Sequence, residues 1–267
     1  MSIPDGEAPL SLALILGCAR SGTSILGELI ASHPQVTYLF EAHPTWELAG
    51  LGENESHRLT ETHAVPAAVS RIRDWFKAQR GSRPWLVEKN PRNTLRIPFL
   101  RAVFPEAKIV HIVRDGRDVA CSLVPGIGGD HWSHLKPPSW RELSTEYTGV
   151  VRCALAWKEI VEIALADLAC APHHTVRYED LVTQPESVAR QLLRYLGIHE
   201  DPAVFEFCRR ISNFPESSYH AQHQVRWSRD DHHARIGRWR EWTGEPSENM
   251  DRVQELLHGT LTRLGYF

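Results

Sequence analysis

The chain has 267 residues, of which 42% are hydrophobic and 24% are charged, as in ordinary soluble globular proteins. This composition excludes fibrous and disordered classes, and the length suffices for a full hydrophobic core without disulfides or a structural metal. The formal net charge of −3 argues against wholesale binding to nucleic acid or to an anionic membrane. Any site for a polyanion must therefore be a local cluster of basic residues.

The apolar run at residues 10–16 has the hydrophobicity of a signal-peptide core, but acidic residues and no Lys or Arg precede it. It is also too short to span a bilayer. The five cysteines are scattered and odd in number, which indicates a reducing compartment rather than a disulfide framework or a zinc site. We therefore expect a cytoplasmic protein with no membrane span, in which this run is a buried strand.

Apolar and amphipathic segments alternate in an order typical of a parallel sheet with helices on both faces. Strands are predicted at residues 10–16, 36–40, 85–87, 108–113 and 174–178. Helices are predicted at residues 25–31, 67–80, 94–104, 115–123, 141–169, 186–196 and 250–264. Polar or Gly- and Pro-rich segments are expected to form ligand-contacting loops at residues 44–63, 125–139 and 213–247. The sequence contains no internal repeat and predicts a single α/β domain over residues 1–267.

The first predicted strand passes into the first helix through Gly17-Cys-Ala-Arg-Ser-Gly-Thr-Ser24. Glycines at this spacing are typical of a loop that cradles phosphate at a helix N-terminus, and the loop adds hydroxyl donors and Arg20. A nucleotide-triphosphate loop places Lys before its final Ser or Thr, and Thr23 stands there instead. The loop therefore predicts a phosphate site but argues against nucleotide-triphosphate hydrolysis. A plain glycine turn is the alternative.

A second candidate anion site follows the strand at residues 108–113. Arg114 lies at the carboxyl end of that strand, where open parallel sheets bind ligands, and Ser122 stands eight residues further on. A bidentate guanidinium and a hydroxyl could together bind a second phosphate. The alternative is a polar turn in which Asp115 caps the next helix and Arg117 is solvated.

Taken together, these motifs resemble those of the sulfotransferases that use 3′-phosphoadenosine 5′-phosphosulfate (PAPS). The similar segments follow the family's order over nearly the whole chain, and they are Arg20–Ser24, Glu88–Pro91, Ile112–Ser122, Val176–Leu181 and Arg235–Trp239. The resemblance implies a P-loop-like α/β sulfotransferase fold. It also implies in-line transfer of a sulfuryl group from PAPS to a hydroxyl or amine, with 3′-phosphoadenosine 5′-phosphate (PAP) as the product.

The resemblance further implies roles for single residues. The residues that would bind the 5′-phosphosulfate are Arg20, Ser21, Gly22, Thr23 and Ser24. Those that would hold the 3′-phosphate are Arg114 and Ser122, with Arg235, Gly237 and Arg238 closing over it, and Tyr178 would line the adenine pocket. Lys89 would lie near the sulfuryl group, unless it is a solvated strand end. Arg20 and Lys89 would stabilise charge on the bridging oxygen, and the scheme needs no metal ion.

A base must accept the proton of the acceptor hydroxyl as that hydroxyl attacks sulfur. Some cytosolic relatives place a histidine shortly after the lysine that matches Lys89, and this chain has Asn90-Pro-Arg92 there instead. Glu41 follows the second predicted strand, where other members carry a catalytic glutamate, so we expect it to be the base. His43 is its competitor, and a surface carboxylate is the alternative role for Glu41.

The acceptor is expected to be a small molecule or a carbohydrate of unspecified identity. Tryptophans in the predicted loops are candidates for an aromatic or sugar-stacking acceptor site, namely Trp46, Trp132, Trp140 and Trp227, whereas Trp75, Trp85 and Trp157 are expected in the core. The histidine pairs lack metal-ligand spacing and are expected to be solvated. Two other functions stay open, a kinase that uses a nucleotide triphosphate and a non-catalytic nucleotide-binding protein.

Overall fold

The structure is a computed structural model that describes residues 10–48, 55–169, 171–212 and 232–267. Its centre is a sheet of five parallel strands in the order β2-β3-β1-β4-β5. The strands are β1 (Ser11–Leu16), β2 (Val36–Phe40), β3 (Trp85–Lys89), β4 (Lys108–Val113) and β5 (His173–Arg177). All five predicted strands are thus confirmed, and the α/β class with them.

Helices connect and cover the strands. They are α1 (Thr23–Ala31), α2 (His43–Glu47), α3 (Pro66–Gln79), α4 (Ile97–Val103), α5 (Gly116–Ile127), α6 (Trp140–Glu146), α7 (Gly149–Leu168), α8 (Tyr178–Thr183), α9 (Pro185–Leu196), α10 (Pro202–Ser212) and α11 (Ser247–Arg263). Short 3₁₀ turns lie at Glu61–His63, Pro91–Leu95, His233–Arg235 and Arg238–Glu241. Within the described ranges, no helix is both long enough and apolar enough to cross a membrane.

The central strand β1 explains why the sheet has helices on both faces. Side chains alternate between the two faces of a strand, so adjacent residues of β1 pack into different hydrophobic cores. Ala13 and Ile15 pack with apolar residues of α1, α8, α9 and α10. Leu12 and Leu14 pack on the other face with residues of α3, α4 and α7. A continuous apolar run is therefore required here, because no face of the strand meets water.

The parallel arrangement brings the carboxyl ends of all five strands to one edge of the sheet. In the register of the strands, Lys89 of β3 pairs with Phe40 of β2 on one side and with Ile15 of β1 on the other. The residues that follow the strands therefore meet at this edge, where open α/β sheets bind their ligands. The edge gathers the loop after β1, Glu41, Lys89 and Arg114.

Helices α8 and α10 were not predicted, and α5 continues to Ile127 in a segment expected to be a loop. Two further segments also differ from the prediction. The expected helix at 141–169 is divided into α6 and α7, because Thr148 is extended and Gly149 adopts a φ of +58° that an L side chain rarely tolerates. Residues 44–47, expected in a loop, belong to α2. Trp46 of this helix is fully buried against Phe76 and Phe99, so its prediction as an acceptor-site tryptophan is wrong.

Candidate active site

The loop after β1 has the geometry of an anion cradle. Gly22 caps α1 with a φ of +94°, and the loop provides no side-chain cap for the first helical turn. Backbone N–H groups at such a helix start favour a negative ligand. Gly17 donates its backbone N–H to Thr94 Oγ1 over 2.8 Å, which fixes the start of the loop. Within the described chain, the buried Ser21 hydroxyl has no hydrogen-bond partner.

Arginines converge beside this loop. Arg20 has a φ of +70°, which is strained for a residue with a side chain, and its Nε donates to Ser122 Oγ over 2.9 Å. Burial lowers the pKa of Arg20, and the nearby charges of Arg235 and Arg114 lower it further. The three guanidinium groups therefore repel one another, and a bound polyanion would relieve that repulsion.

These residues line one opening, which we call the arginine cleft. Its lining combines the loop after β1 with the ends of β4 and β5, and consists of Arg20, Gly22, Thr23, Ser24, Ile25, Arg114, Ser122, Tyr178, His232 and Arg235. It continues past Arg238, Trp239 and Trp242. The residues predicted for nucleotide binding thus lie along these openings, except for Ser21 and Gly237, which are not part of the lining. Gly237 donates its backbone N–H to Asp118.

Asp118 is a site residue that the sequence analysis missed. Its two carboxylate oxygens accept the backbone N–H groups of Gly237 and Trp239 over 2.8 and 2.9 Å. One of the same oxygens lies 3.6 Å from Arg114 Nη2. Asp118 therefore ties the late segment of the chain to α5 and to the end of β4. The spacing of Asp118 from Arg114 is a helical (i, i+4) spacing, and it was the signal available in the sequence.

Arg114 is held by the backbone. Its Nη1 donates to the carbonyl of Arg20 over 3.1 Å, and its Nη2 donates to the carbonyl of Arg235 over 2.6 Å. The Nε atom is buried and has no partner among the described residues. The alternative interpretation of this turn holds in part, because Asp115 does cap α5. Arg117 is buried rather than solvated, since it pairs with Asp115 and with the carbonyl of Tyr266.

Tyr178 forms the far wall of the arginine cleft. The Arg114 guanidinium stacks over the Tyr178 ring, 4.5 Å from the ring centre. The Tyr178 hydroxyl lies 3.0 Å from His232 Nδ1. A Cβ on Gly22 would overlap the Tyr178 ring. Position 22 therefore requires glycine for two reasons, the positive φ and the close approach of the Tyr178 ring.

The other half of the site contains the predicted catalytic residues. Lys89 Nζ lies 2.5 Å from Glu41 Oε1, and Glu41 Oε2 lies 3.0 Å from His43 Nε2. The Lys89 side chain is only 1% exposed and stacks on the Phe40 ring, so it is not a solvated strand end. Glu41 adopts a φ of +50°, a strained conformation for glutamate that the surrounding contacts must maintain.

The ionisation of Glu41 follows from these contacts. Burial on its own would raise the pKa of the carboxyl group, but the hydrogen bonds and charges of His43 and Lys89 lower it to about 2. Glu41 is therefore ionised at neutral pH. Burial lowers the pKa of Lys89, whereas the adjacent Glu41 raises it and favours the charged ammonium.

Glu88 stabilises the turn that contains Glu41, and the sequence analysis did not predict this role. Its buried carboxylate accepts the backbone N–H of Ala42 over 3.3 Å and the Trp46 indole N–H over 3.0 Å. The second oxygen accepts Asn93 Nδ2 over 2.9 Å. Burial raises the pKa of Glu88 to about 7, because the hydrogen bonds offset only part of the cost of burying its charge. These contacts hold the strained turn on which Glu41 stands.

A second opening, which we call the Glu41 cleft, adjoins the arginine cleft at Arg20, Thr23 and Ser24. Its remaining lining comes from the ends of β2 and β3 and from a loop after α5, namely Ala19, Phe40, Glu41, His43, Lys89, Pro91, Arg92, Ser133, His134 and Leu135. Trp132 and Trp140 pack on each other at 6.1 Å and are not among these residues. Trp227 lies outside the described residues.

The three tryptophans expected in the core are buried to different extents. Trp157 is fully buried, whereas Trp75 and Trp85 are partly buried at the edges of two cores. No group of three or more His, Cys, Asp or Glu side chains in the described part of the chain is arranged to hold a metal ion.

Comparison with known proteins identifies relatives of this chain. The model of the sulfotransferase family matches residues 13–202. The nodulation protein NoeE of Sinorhizobium fredii is 27% identical, over 97% of this chain and 67% of its own length. Protein-tyrosine sulfotransferase 1 of Danio rerio is 25% identical, over 96% and 72%. The omega-hydroxy-beta-dihydromenaquinone-9 sulfotransferase Stf3 of Mycobacterium tuberculosis is 28% identical, over 58% and 40%.

Solved structures share the fold. The sulfotransferase domain from the curacin biosynthetic pathway superposes with a TM-score of 0.57 at 18% identity, covering 95% of this chain and 99% of the domain. Mouse sulfotransferase SULT7A1 complexed with PAP superposes with a TM-score of 0.55 at 16% identity, covering 94% and 86%. At such identities the likeness concerns the fold, and it confirms the P-loop-like sulfotransferase architecture expected from the motifs.

Proposed function

The chain belongs to the sulfotransferase family and is an enzyme of that kind, and on this premise we propose that it transfers a sulfuryl group from PAPS to an acceptor hydroxyl. One observation carries the proposal. A cleft with three converging arginines at an uncapped helix start adjoins a cleft with a paired lysine and glutamate. The first arrangement suits a ligand with two phosphate groups, and the second suits proton transfer beside a developing negative charge.

The residues of the arginine cleft fit PAPS. Arg20 and the loop N–H groups would bind the 5′-phosphosulfate, and Arg114 and Ser122 would bind the 3′-phosphate. Two buried polar atoms that have no partner among the described residues, Ser21 Oγ and Arg114 Nε, would gain one. Tyr178 would contact the adenine, with Arg235 and Arg238 closing the cleft from the late segment.

PAPS supplies an activated sulfuryl group, and the protein supplies position and charge. Sulfuryl transfer resembles phosphoryl transfer in its loose transition state, so stabilising charge on the departing oxygen is the main task. Arg20 and Lys89 would carry it out, because both side chains line the Glu41 cleft next to the loop. The acceptor oxygen bonds to sulfur, the bond from sulfur to the 5′-phosphate oxygen breaks, and PAP leaves.

Glu41 would take the proton of the acceptor hydroxyl, with His43 orienting its carboxylate. A carboxylate with a pKa of about 2 is a weak base while Lys89 holds it. We expect Lys89 to turn from Glu41 to the departing oxygen as charge develops there. That movement frees Oε1 and raises the proton affinity of Glu41 at the moment when the proton is released.

The proposed acceptor is a small molecule or a carbohydrate with a free hydroxyl. The relatives bear names that span a nodulation protein, protein-tyrosine sulfotransferases and a menaquinone sulfotransferase. The family therefore does not decide between these acceptors for this chain, and a tyrosine side chain is a further candidate.

Transfer of ³⁵S from labelled PAPS to a mixed panel of phenols, sugars and tyrosine peptides tests the proposal. We expect labelled product and an equal amount of PAP. Lys89→Met should abolish most transfer, whereas Lys77→Met, on the exposed side of α3, should not. Phosphoryl transfer from ATP with Mg²⁺ in place of sulfuryl transfer would contradict the proposal and favour a kinase.

A further inference from the structure

The Glu41 cleft is rich in positive charge on its described walls. The side chains that can carry charge are Arg20, Glu41, His43, Lys89, Arg92 and His134. The one carboxylate among them is already paired with Lys89 at 2.5 Å. Arg20, Lys89 and His43 have tasks in the proposed transfer, and burial lowers the pKa of His134. Arg92 is therefore the permanent positive charge in the described lining for which the proposed transfer has no use.

The guanidinium of Arg92 has a weak set of partners. Its Nη1 lies 4.0 Å from Glu47 Oε1, which is too far for a hydrogen bond, and the Glu47 side chain is 57% exposed. Arg92 is otherwise bonded through its backbone N–H, which donates to Asn90 Oδ1 over 3.0 Å. Among the described residues, no side-chain N–H of Arg92 makes a hydrogen bond, so five donors face the cleft or solvent.

The surroundings of Arg92 are positive as well. Burial, and then the charges of Arg92 and Arg96, lower the pKa of His57 to about 3. Burial and the charge of Arg92 also lower the pKa of Arg96. The nearby carboxylate of Glu88 faces away from the cleft toward Trp46 and Asn93. An anion placed at Arg92 would thus meet several positive groups; the Glu41 carboxylate of the lining is paired with Lys89, and the exposed Glu47 carboxylate, 4.0 Å from Arg92, lies outside the lining.

We propose that the acceptor carries an anionic group, such as a carboxylate, phosphate or sulfate, and that Arg92 binds this group while the acceptor hydroxyl lies at Glu41. The inference rests on the proposed function, because it takes the Glu41 cleft to be the acceptor site. Arginine suits this task, since its planar fork can bind two oxygens of one anion. Arg92 is then a specificity-determining residue, three positions along the chain from Lys89.

Matched pairs of acceptors that differ only in charge test the inference. One pair is 4-hydroxyphenylacetate and 4-hydroxyphenylacetamide, and another is glucuronate and glucuronamide. Transfer of ³⁵S from PAPS gives kcat/KM for each member with the wild-type protein and with Arg92→Ala, Arg92→Lys and Arg71→Ala. Arg71 is an exposed arginine on α3 and serves as the matched control. Stabilisation of each variant by PAP is measured in the same samples.

We expect the acid of a pair to exceed its amide by about tenfold to a hundredfold in kcat/KM, the range of a charge-assisted hydrogen bond. Arg92→Ala should remove this preference, mainly through a higher KM for the acid. Arg92→Lys should keep part of it, and Arg71→Ala should keep all of it.

Three results would overturn the inference. Equal transfer to acid and amide, or an acid preference that survives Arg92→Ala, would show that Arg92 does not select the acceptor. Absence of transfer to every acid, while PAP still stabilises the protein, would contradict the anionic acceptor and leave the donor site standing. Absence of stabilisation by PAP would contradict the proposed function itself.

Discussion

Lys89 and Glu41 form a partly buried ion pair in which the ammonium lies 2.5 Å from one carboxylate oxygen. The pair is built by the sheet, because Lys89 ends β3 and Glu41 follows Phe40, its neighbour across the strands. Glu41 donates its own backbone N–H to the carbonyl of Lys89 over 2.9 Å, so the two residues are joined twice. A potential base and a potential charge stabiliser are thereby kept together.

The first prediction concerns Glu41. Glu41→Gln removes the proton acceptor but keeps the size of the side chain, so turnover should fall by about a hundredfold to ten-thousandfold, as for the loss of a general base. The affinity for PAP, measured by calorimetry, should stay within a few-fold of wild type. Glu61→Gln, at an exposed 3₁₀ turn, is the control. Near-normal turnover of Glu41→Gln would remove Glu41 from the role of base and leave His43 as the candidate.

The second prediction concerns Gly22. Gly22→Ala should destabilise the fold and greatly weaken PAP binding, because the added methyl group would overlap Tyr178. Gly81→Ala is a matched control, since Gly81 also has a positive φ, +63°, but has open space around it. Denaturant unfolding should show a cost of about 1 kcal/mol for Gly81→Ala from backbone strain and a larger cost for Gly22→Ala. Equal costs would contradict the close approach of Gly22 and Tyr178.

The third prediction concerns Asp118. Asp118→Ala leaves two backbone N–H groups of the late segment without their acceptor and releases Arg114 from its ion pair. We expect the dissociation constant of PAP to rise at least tenfold, because the segment that carries Arg235 and Arg238 loses its anchor. Asp251→Ala, on the exposed side of α11, should leave the constant unchanged. An unaltered affinity in Asp118→Ala would show that this anchor does not serve the ligand.

The fourth prediction concerns stability and pH. His111 of β4 is fully buried, neither ring nitrogen has a partner among the described residues, and burial lowers its pKa to about 4. The unfolded chain, with a histidine pKa near 6.5, binds this proton at a higher pH than the folded protein does. The stability linked to His111 is therefore fully present above pH 6.5 and is lost as the pH falls toward 4, by about 3 kcal/mol in all.

His111→Leu should raise the free energy of unfolding at pH 7, because it removes an unsatisfied buried polar group of similar size. It should also reduce the loss of stability between pH 6.5 and pH 4. Urea unfolding across this range measures both effects, with the exposed His131→Leu as the control. A mutant that loses stability with falling pH as steeply as the wild type would contradict this assignment.

The strands and the glycine-containing loop after β1 could be predicted from the sequence because their signals are local. An unbroken apolar run predicts a strand covered on both faces, and the glycine spacing after it predicts a phosphate loop. Trp46 and Asp118 could not be placed in the same way. Trp46 lies in a polar stretch, and its burial depends on Phe76 and Phe99, which are distant in sequence. Asp118 acquires its role only when Gly237, 119 residues away, folds back onto it.

The most direct measurement is thermal stabilisation by PAP, compared with ATP and Mg²⁺ and repeated on Arg114→Ala. A ligand at a hundred times its dissociation constant adds about 2.7 kcal/mol to the free energy of unfolding. The proposed donor site predicts stabilisation by PAP, none by ATP with Mg²⁺, and loss of the PAP effect in Arg114→Ala. Stabilisation by ATP with Mg²⁺ alone, or no response to PAP, would contradict it.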